Sequence, residues 1–165
     1  MLELGKSGSH GTDRGIVPVL SDGALVATLR AATWKEAANW KEAATAEVGD
    51  RNWAFQRGGT RELVGRWAQE PAESVRLRAH QVSVWKDSWT MELDGLAVDV
   101  ARTSIWKGTH RYESGGRRLA ESGTTGGWKP RPTLTTEPGL PLDSAVFLLW
   151  FEFVLGRRRI AAAAA

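Results

Sequence analysis

Few residues of this chain are spaced for chemistry. The three histidines, His10, His80 and His110, stand far apart, with no His-x-x-x-His pair and no cysteine. Metal ligation depends on such spacings, so neither a metal nor another cofactor is expected. No serine lies in a Gly-x-Ser-x-Gly setting, which leaves a hydrolase elbow unsupported. Gly5-Lys6-Ser7 copies the end of a phosphate-binding loop, but the leading glycine of that motif would fall before Met1. Glu92, Asp94 and Asp99 lie in or beside one Asp-Gly turn, where turn chemistry and a solvated strand face account for them. Glu152 is the one odd acid, because it interrupts an apolar run. An ionised carboxylate enclosed there costs several kcal/mol unless it is paired or wet. The reading adopted places Glu152 at an open end of the fold near a run of arginines; a buried functional carboxylate is the sharper alternative.

Two basic groupings could meet an anion. Arg76, Arg78 and His80 share one face of a predicted strand, and Arg157, Arg158 and Arg159 follow the apolar run. A solvated strand face and a helix stop are the plain explanations. An anionic lipid surface is the sharper one, since each basic residue near such a leaflet contributes about 1 kcal/mol. The net charge is +3, and without the three C-terminal arginines it is zero. A nucleic-acid partner, which usually needs a basic body, is therefore not expected. A monomer is expected.

These residues depend on a few elements for their placement, above all the C-terminal stretch LPLDSAVFLLWFEFVLGRRR at 140–159. Pro141 and then Asp143 or Ser144 predict a helix start, and Gly156 with the arginines predicts its stop, giving a helix near 143–156. Val146, Phe147, Leu148, Trp150, Phe151 and Val154 are the expected core residues, and with Leu149, Phe153 and Leu155 they point in every direction around the helix. Such a helix is enclosed by protein or by lipid. The apolar turns span only about 18 Å at 1.5 Å per residue, against about 30 Å for a bilayer core. Burial in protein is the preferred reading, and a membrane anchor is the alternative.

The rest of the chain reads as strands. Asp22-Gly23, Gly58-Gly59, Asp94-Gly95 and Gly115-Gly116 each separate short apolar runs, the signature of hairpins. The flanks alternate with period two: Leu63, Gly65 and Trp67 oppose Glu62 and Arg66, while Val75, Leu77 and Ala79 oppose Arg76, Arg78 and His80. FQRGGTREL and YESGGRRL look alike, and are read as two solutions of one turn problem. WKEAANWKEAA at 34–44 repeats every six residues, an even step that favours a strand with Trp34, Trp40, Ala44, Ala46 and Val48 on one side. Four prolines between 130 and 141 exclude a helix there and leave an extended segment with a strand near Thr133–Thr136. Residues 1–15 are predicted to be a flexible arm, 16–159 a single domain, and 160–165 a low-complexity tail. The nine tryptophans are scattered and read as parts of one core.

About ten to twelve antiparallel strands with one dry face must bury it. A helix that is apolar on all sides fits best inside a closed sheet wider than an eight-stranded barrel. The predicted fold is mostly β, a closed antiparallel barrel around a hydrophobic C-terminal helix. Serial x-Gly hairpins, scattered tryptophans and PLDSAVFLLWFEFVLGRR together resemble the tubby-like barrel group, with its LURP-one-related and phospholipid-scramblase-like proteins. The resemblance covers roughly residues 16–159. It implies a twelve-stranded barrel threaded by the C-terminal helix, and in the tubby branch phosphoinositide head groups bound through basic residues; none of those residues is carried over. The scramblase branch implies cysteine palmitoylation, which this chain lacks the residue for. The expected function is a non-enzymatic binding or scaffold barrel that contacts anionic lipid head groups. The alternatives are a helix-anchored, scramblase-like membrane protein and an enzyme with a site in the barrel mouth. The absence of cysteine and of an apolar N-terminal region predicts a cytoplasmic protein, peripheral to membrane where it meets lipid.

Overall fold

The computed structural model describes residues 1–31 and 42–165. Twelve antiparallel strands close into a barrel: β1 (Leu2–Leu4), β2 (Ile16–Ser21), β3 (Ala24–Ala31), β4 (Ala43–Val48), β5 (Arg51–Gly59), β6 (Glu62–Trp67), β7 (Leu77–Ser83), β8 (Ser88–Leu93), β9 (Leu96–Ser104), β10 (Thr109–Ser114), β11 (Arg117–Thr124) and β12 (Pro132–Thr136). Each strand pairs with its neighbours in sequence, and β1 closes the ring by pairing with both β12 and β2. The helix α1 (Leu142–Ala163) occupies the interior. Ser144 to Leu155 are buried at every position except the half-buried Phe153.

The all-round apolar helix and the ring of strands thus solve one burial problem together. Phe55 meets Phe147 edge-on at 5.3 Å and Trp150 at 5.3 Å, while Trp89 meets Phe151 edge-on at 4.9 Å. Gly65 makes room for Phe55, since a Cβ there would lie 3.0 Å from the Phe55 ring and 3.3 Å from Leu77. The helix residues that a membrane anchor would need are therefore taken up by the barrel wall. Among the described residues no helix is long and apolar enough to cross a membrane.

Three hairpins turn where the sequence places them. Asp22-Gly23, Asp94-Gly95 and Gly115-Gly116 all have positive φ at both positions, the two-residue geometry that matches strand twist. The fourth is displaced: Gly58 and Gly59 lie within β5 at a register shift, and Thr60-Arg61 make the turn. A Cβ at Gly58 would sit 2.7 Å from Val64, so glycine there serves packing across the hairpin. The two look-alike segments are therefore different turns.

Other boundaries differ too. The predicted arm contributes β1, whose Leu2 and Leu4 are buried and whose pairing to Leu134 closes the barrel. Three residues are too short a run for periodicity to reveal. The helix starts after Pro141 with no side-chain cap; Asp143 instead accepts from Arg51 Nη1 at 2.9 Å and Trp53 Nε1 at 3.1 Å. It also runs through Gly156 and the arginines into the predicted tail. One helical glycine costs about 1 kcal/mol, which the alanines beyond and the anchored arginines offset. Trp34 to Lys41, most of the ambiguous repeat, lie outside the described residues, while its end enters β4 with Ala44, Ala46 and Val48 buried and Thr45 and Glu47 exposed. The tryptophans divide: Trp53, Trp89 and Trp150 are buried, but Trp85, Trp106 and Trp128 are exposed, so they do not all build one core.

Truncating the plug should be severe. Phe147→Ala is expected to lower stability by about 3–5 kcal/mol, read as a lower urea midpoint with an unchanged slope.

Candidate functional site

Period-two alternation turns Trp89 on β8 and His110 and Tyr112 on β10 inward, toward the helix. Asp87, two residues before Trp89, holds a left-handed backbone with φ +47°. Glu152 faces them from α1 and is only 5% exposed, while His110 is fully buried. His110 donates from Nδ1 to Glu152 Oε1 at 2.9 Å and from Nε2 to Asp87 Oδ2 at 3.0 Å. Tyr112 donates its hydroxyl to Glu152 Oε1. Trp89 Nε1 donates to Asp87 Oδ1 at 3.1 Å, and Arg102 Nε to Asp87 Oδ2 at 3.1 Å.

Both ring nitrogens donate to carboxylates, so the imidazole is a cation between two anions. Burial by itself would lower the His110 pKa, but the hydrogen bonds and charges of Asp87 and Glu152 override it and raise it to about 9. Burial likewise pushes Asp87 up, and the bonds from His110 and Trp89, the imidazolium charge and Arg102 draw it down to about 2. Burial, followed by the charge and hydrogen bond of Glu152, pushes Tyr112 well above the usual phenol value, which keeps it a donor. An imidazolium with both N–H groups committed has no lone pair for a proton or a metal. This group is an ionic pin joining β8, β9 and β10 to the helix.

Glu152 does lie toward the open end, lining a cleft with Arg157 and Arg159, but it is buried and its hydrogen-bond partners are His110 and Tyr112 rather than the arginine run. Period-two alternation, which puts His110 and Tyr112 on one strand face, and the need of the lone helix acid for partners are the signals that could have found them. What the sequence did not disclose was that they lie at one height in the barrel.

The predicted basic groupings are used differently. Arg76 pairs with Glu70 at 2.7 Å and lies over the Trp67 ring at 3.6 Å. Arg78 and His80 both meet Glu62, at 3.0 and 3.5 Å. That strand face is thus internally neutralised. Arg158 pairs with Glu42 at 2.5 Å, Arg159 donates to the Gly108 carbonyl at 2.9 Å, and Arg157 lies over Phe153 at 5.5 Å. Gly108 has φ +60°, and a Cβ there would collide with the Arg159 guanidinium. The structure keeps Arg76, Arg78 and His80 apart from the helix arginines, whose contacts lie at the connections of β3–β4 and β9–β10.

In an antiparallel barrel alternate connections emerge at opposite ends. The end that receives the helix C-terminus carries Lys6, Arg14, Arg61, Lys86, Lys107, Lys129, Arg131 and Arg157–Arg159, against Asp13, Glu42 and Asp87, among the described residues. The opposite connections and helix start carry Asp22, Asp50, Glu70, Glu73, Asp94, Glu137 and Asp143 against Arg76 and the Met1 amino group, with Arg51 and Arg118 of the adjoining strands pairing with Asp143 and Glu137. The connections of the near-neutral body are therefore polarised, basic at one end and acidic at the other. At the basic end a cleft of about 610 Å³ opens between the β9–β10 connection, the β11–β12 connection and the helix. Lys107, Lys129, Arg131, Arg157 and Arg159 line it, with Trp106 and Trp128 at its sides and Glu152 reaching it from the pin. Arg131 is held by the Leu4 carbonyl at 2.8 Å, whereas Lys107 and Lys129 make no ion pair among the described residues.

Fold and site define a twelve-stranded antiparallel barrel plugged by its C-terminal helix, with one basic end. Compared with family models, with curated proteins and with solved structures, the chain matches none.

The pin makes stability depend on pH in two windows. Because the folded His110 pKa is raised, its contribution is complete below about 6.5 and is lost as pH rises through about 9. That of Asp87, whose pKa is lowered, is complete above 3.8 and is lost as pH falls toward 2. The melting temperature should fall between pH 6.5 and 9.5, and His110→Gln should flatten that decline while lowering stability at pH 6. Removing one buried counter-charge by Glu152→Gln is expected to cost about 3–5 kcal/mol at neutral pH, measured by urea unfolding.

Proposed function

We propose that this protein is a non-enzymatic binding barrel that meets anionic lipid head groups with its basic end. The observation that carries the reading is the cleft beside α1, with Lys107 and Lys129 uncommitted and Arg131, Arg157 and Arg159 around them. The concentration of charge is what favours an anion there: opposite-sign residues are gathered at the far end, so the field is directional. A lipid surface suits it better than a nucleic acid, because the positive charge is confined to one end of the barrel rather than laid along a groove. The commitment of His110 to two carboxylates speaks against acid–base catalysis in the cleft. The architecture also supports placing the chain near the tubby-like barrel group, with its twelve strands and threaded helix, as part of the same proposal.

Sedimentation with vesicles tests it. The protein should pellet with phosphatidylcholine vesicles containing phosphatidylserine or a phosphoinositide, and not with phosphatidylcholine alone. Lys107→Gln with Lys129→Gln should weaken pelleting by about 1 kcal/mol per charge, while Arg78→Gln should leave it unchanged. Equal and negligible pelleting with and without acidic lipid would end the proposal.

A further inference from the structure

Two connections at the basic end are the same device. Ser83-Val84-Trp85-Lys86-Asp87 joins β7 to β8, and Ser104-Ile105-Trp106-Lys107-Gly108 joins β9 to β10. In each, the serine hydroxyl accepts from the lysine N–H at 3.2 Å, and the fifth residue has positive φ, 47° at Asp87 and 60° at Gly108. The serine holds the turn closed, and the left-handed residue returns the chain to the next strand. Both turns thereby present a β-branched residue and a tryptophan to solvent. Val84 is 56% and Ile105 74% exposed, and Trp85 and Trp106 are 96% and 98% exposed. A third connection at this end, β11–β12, offers Trp128-Lys129 with Trp128 95% exposed.

Exposed apolar residues scattered singly need no explanation, but three fully exposed tryptophans on one end do. Each is followed directly by a lysine. Trp combines a large apolar ring with a polar N–H and collects at membrane–water interfaces, where lysines alongside meet anionic head groups. The two acids nearest these tips, Asp87 and Glu152, are both bound to His110 and face inward.

We propose that Trp85, Trp106 and Trp128 insert together into the interface of an anionic bilayer, as three separate anchors on the basic end, two of them lining the cleft. This rests on the lipid reading above and goes beyond it: the contact is penetration by aromatic side chains, not head-group attraction alone. The ionic pin sets the height of two anchors, since Asp87 ends the first turn and His110 is the second residue of the strand after the second turn. Trp34-Lys35 and Trp40-Lys41 repeat the dipeptide in sequence but lie outside the described residues.

Vesicles of phosphatidylcholine and phosphatidylserine whose acyl chains are brominated near the head group distinguish the possibilities. Tryptophan fluorescence should be quenched on binding, and Trp85→Phe, Trp106→Phe and Trp128→Phe should each reduce the quenchable fraction. The triple alanine variant, folded by circular dichroism, should partition at least about tenfold more weakly. Pelleting without quenching, or with quenching unaffected by the three changes, overturns insertion and leaves surface binding standing. Failure to pellet at all overturns both. A lipid-free dimer that dissociates when the three tryptophans are replaced would reassign this end to contact between copies of the chain.

Discussion

A helix that is apolar on every side has no stable position except inside something, and that constraint organises this protein. Enclosing it takes a ring wider than side chains alone can fill. Twelve strands supply that ring, and their inward rows, Trp53, Phe55, Trp89, Met91 and Val98 among them, form one buried core with the helix. Barrel and plug are mutually necessary. The ring without its helix would enclose a cavity, and the helix without the ring would expose its whole apolar surface. Closure by the short strand β1 belongs to the same constraint, because a gap between β2 and β12 would open the core to water and leave two unpaired edges.

Within this dry interior the protein retains a charged group. Asp87, His110 and Glu152 form an alternating anion–cation–anion set, with donors from Trp89, Arg102 and Tyr112 filling the remaining positions. Such sets are poor sources of net stability, since desolvation consumes much of the attraction. Their value is directional: a carboxylate on the helix that must meet an imidazole on β10 fixes the depth and rotation of the plug. Apolar packing by itself tolerates small slides of a smooth helix. Glu152 shares the specification of register with the polar ties at the two helix ends, Asp143 to Arg51 and Trp53 and Arg158 to Glu42.

Charge is segregated along the barrel axis as well. The helix delivers three arginines to the end where Lys86, Lys107 and Lys129 already lie, and the acids of the short turns gather at the other. Overall charge gives little hint of this, because the two ends nearly cancel. The exposed tryptophans share the basic end, so the surface combines apolar and positive character where the fold is most elaborated by loops. Strand walls position these loops and the helix terminus holds their bases, through Arg158 to Glu42 and Arg159 to Gly108.

The sequence by itself determined the class of fold. Alternation, x-Gly turns and a short all-round apolar helix are local signals, and they lead to a closed antiparallel barrel with a central plug. They also fixed Asp94-Gly95 and Gly115-Gly116 as turns and Phe147, Leu148 and Phe151 as core. Tertiary structure alone decided what lies opposite what. The meeting of Glu152 with His110, across 42 positions of sequence, follows from barrel closure and helix depth, which no local pattern encodes. The same holds for the neutralisation of Arg78 by Glu62, a cross-strand neighbour known only once register is known. The burial of Leu2 and Leu4 depends on a ring closing at its last gap, and the exposure of Trp85, Trp106 and Trp128 on which residues form a turn's tip. Local periodicity reports which way a side chain points; only the assembled ring reports what it meets.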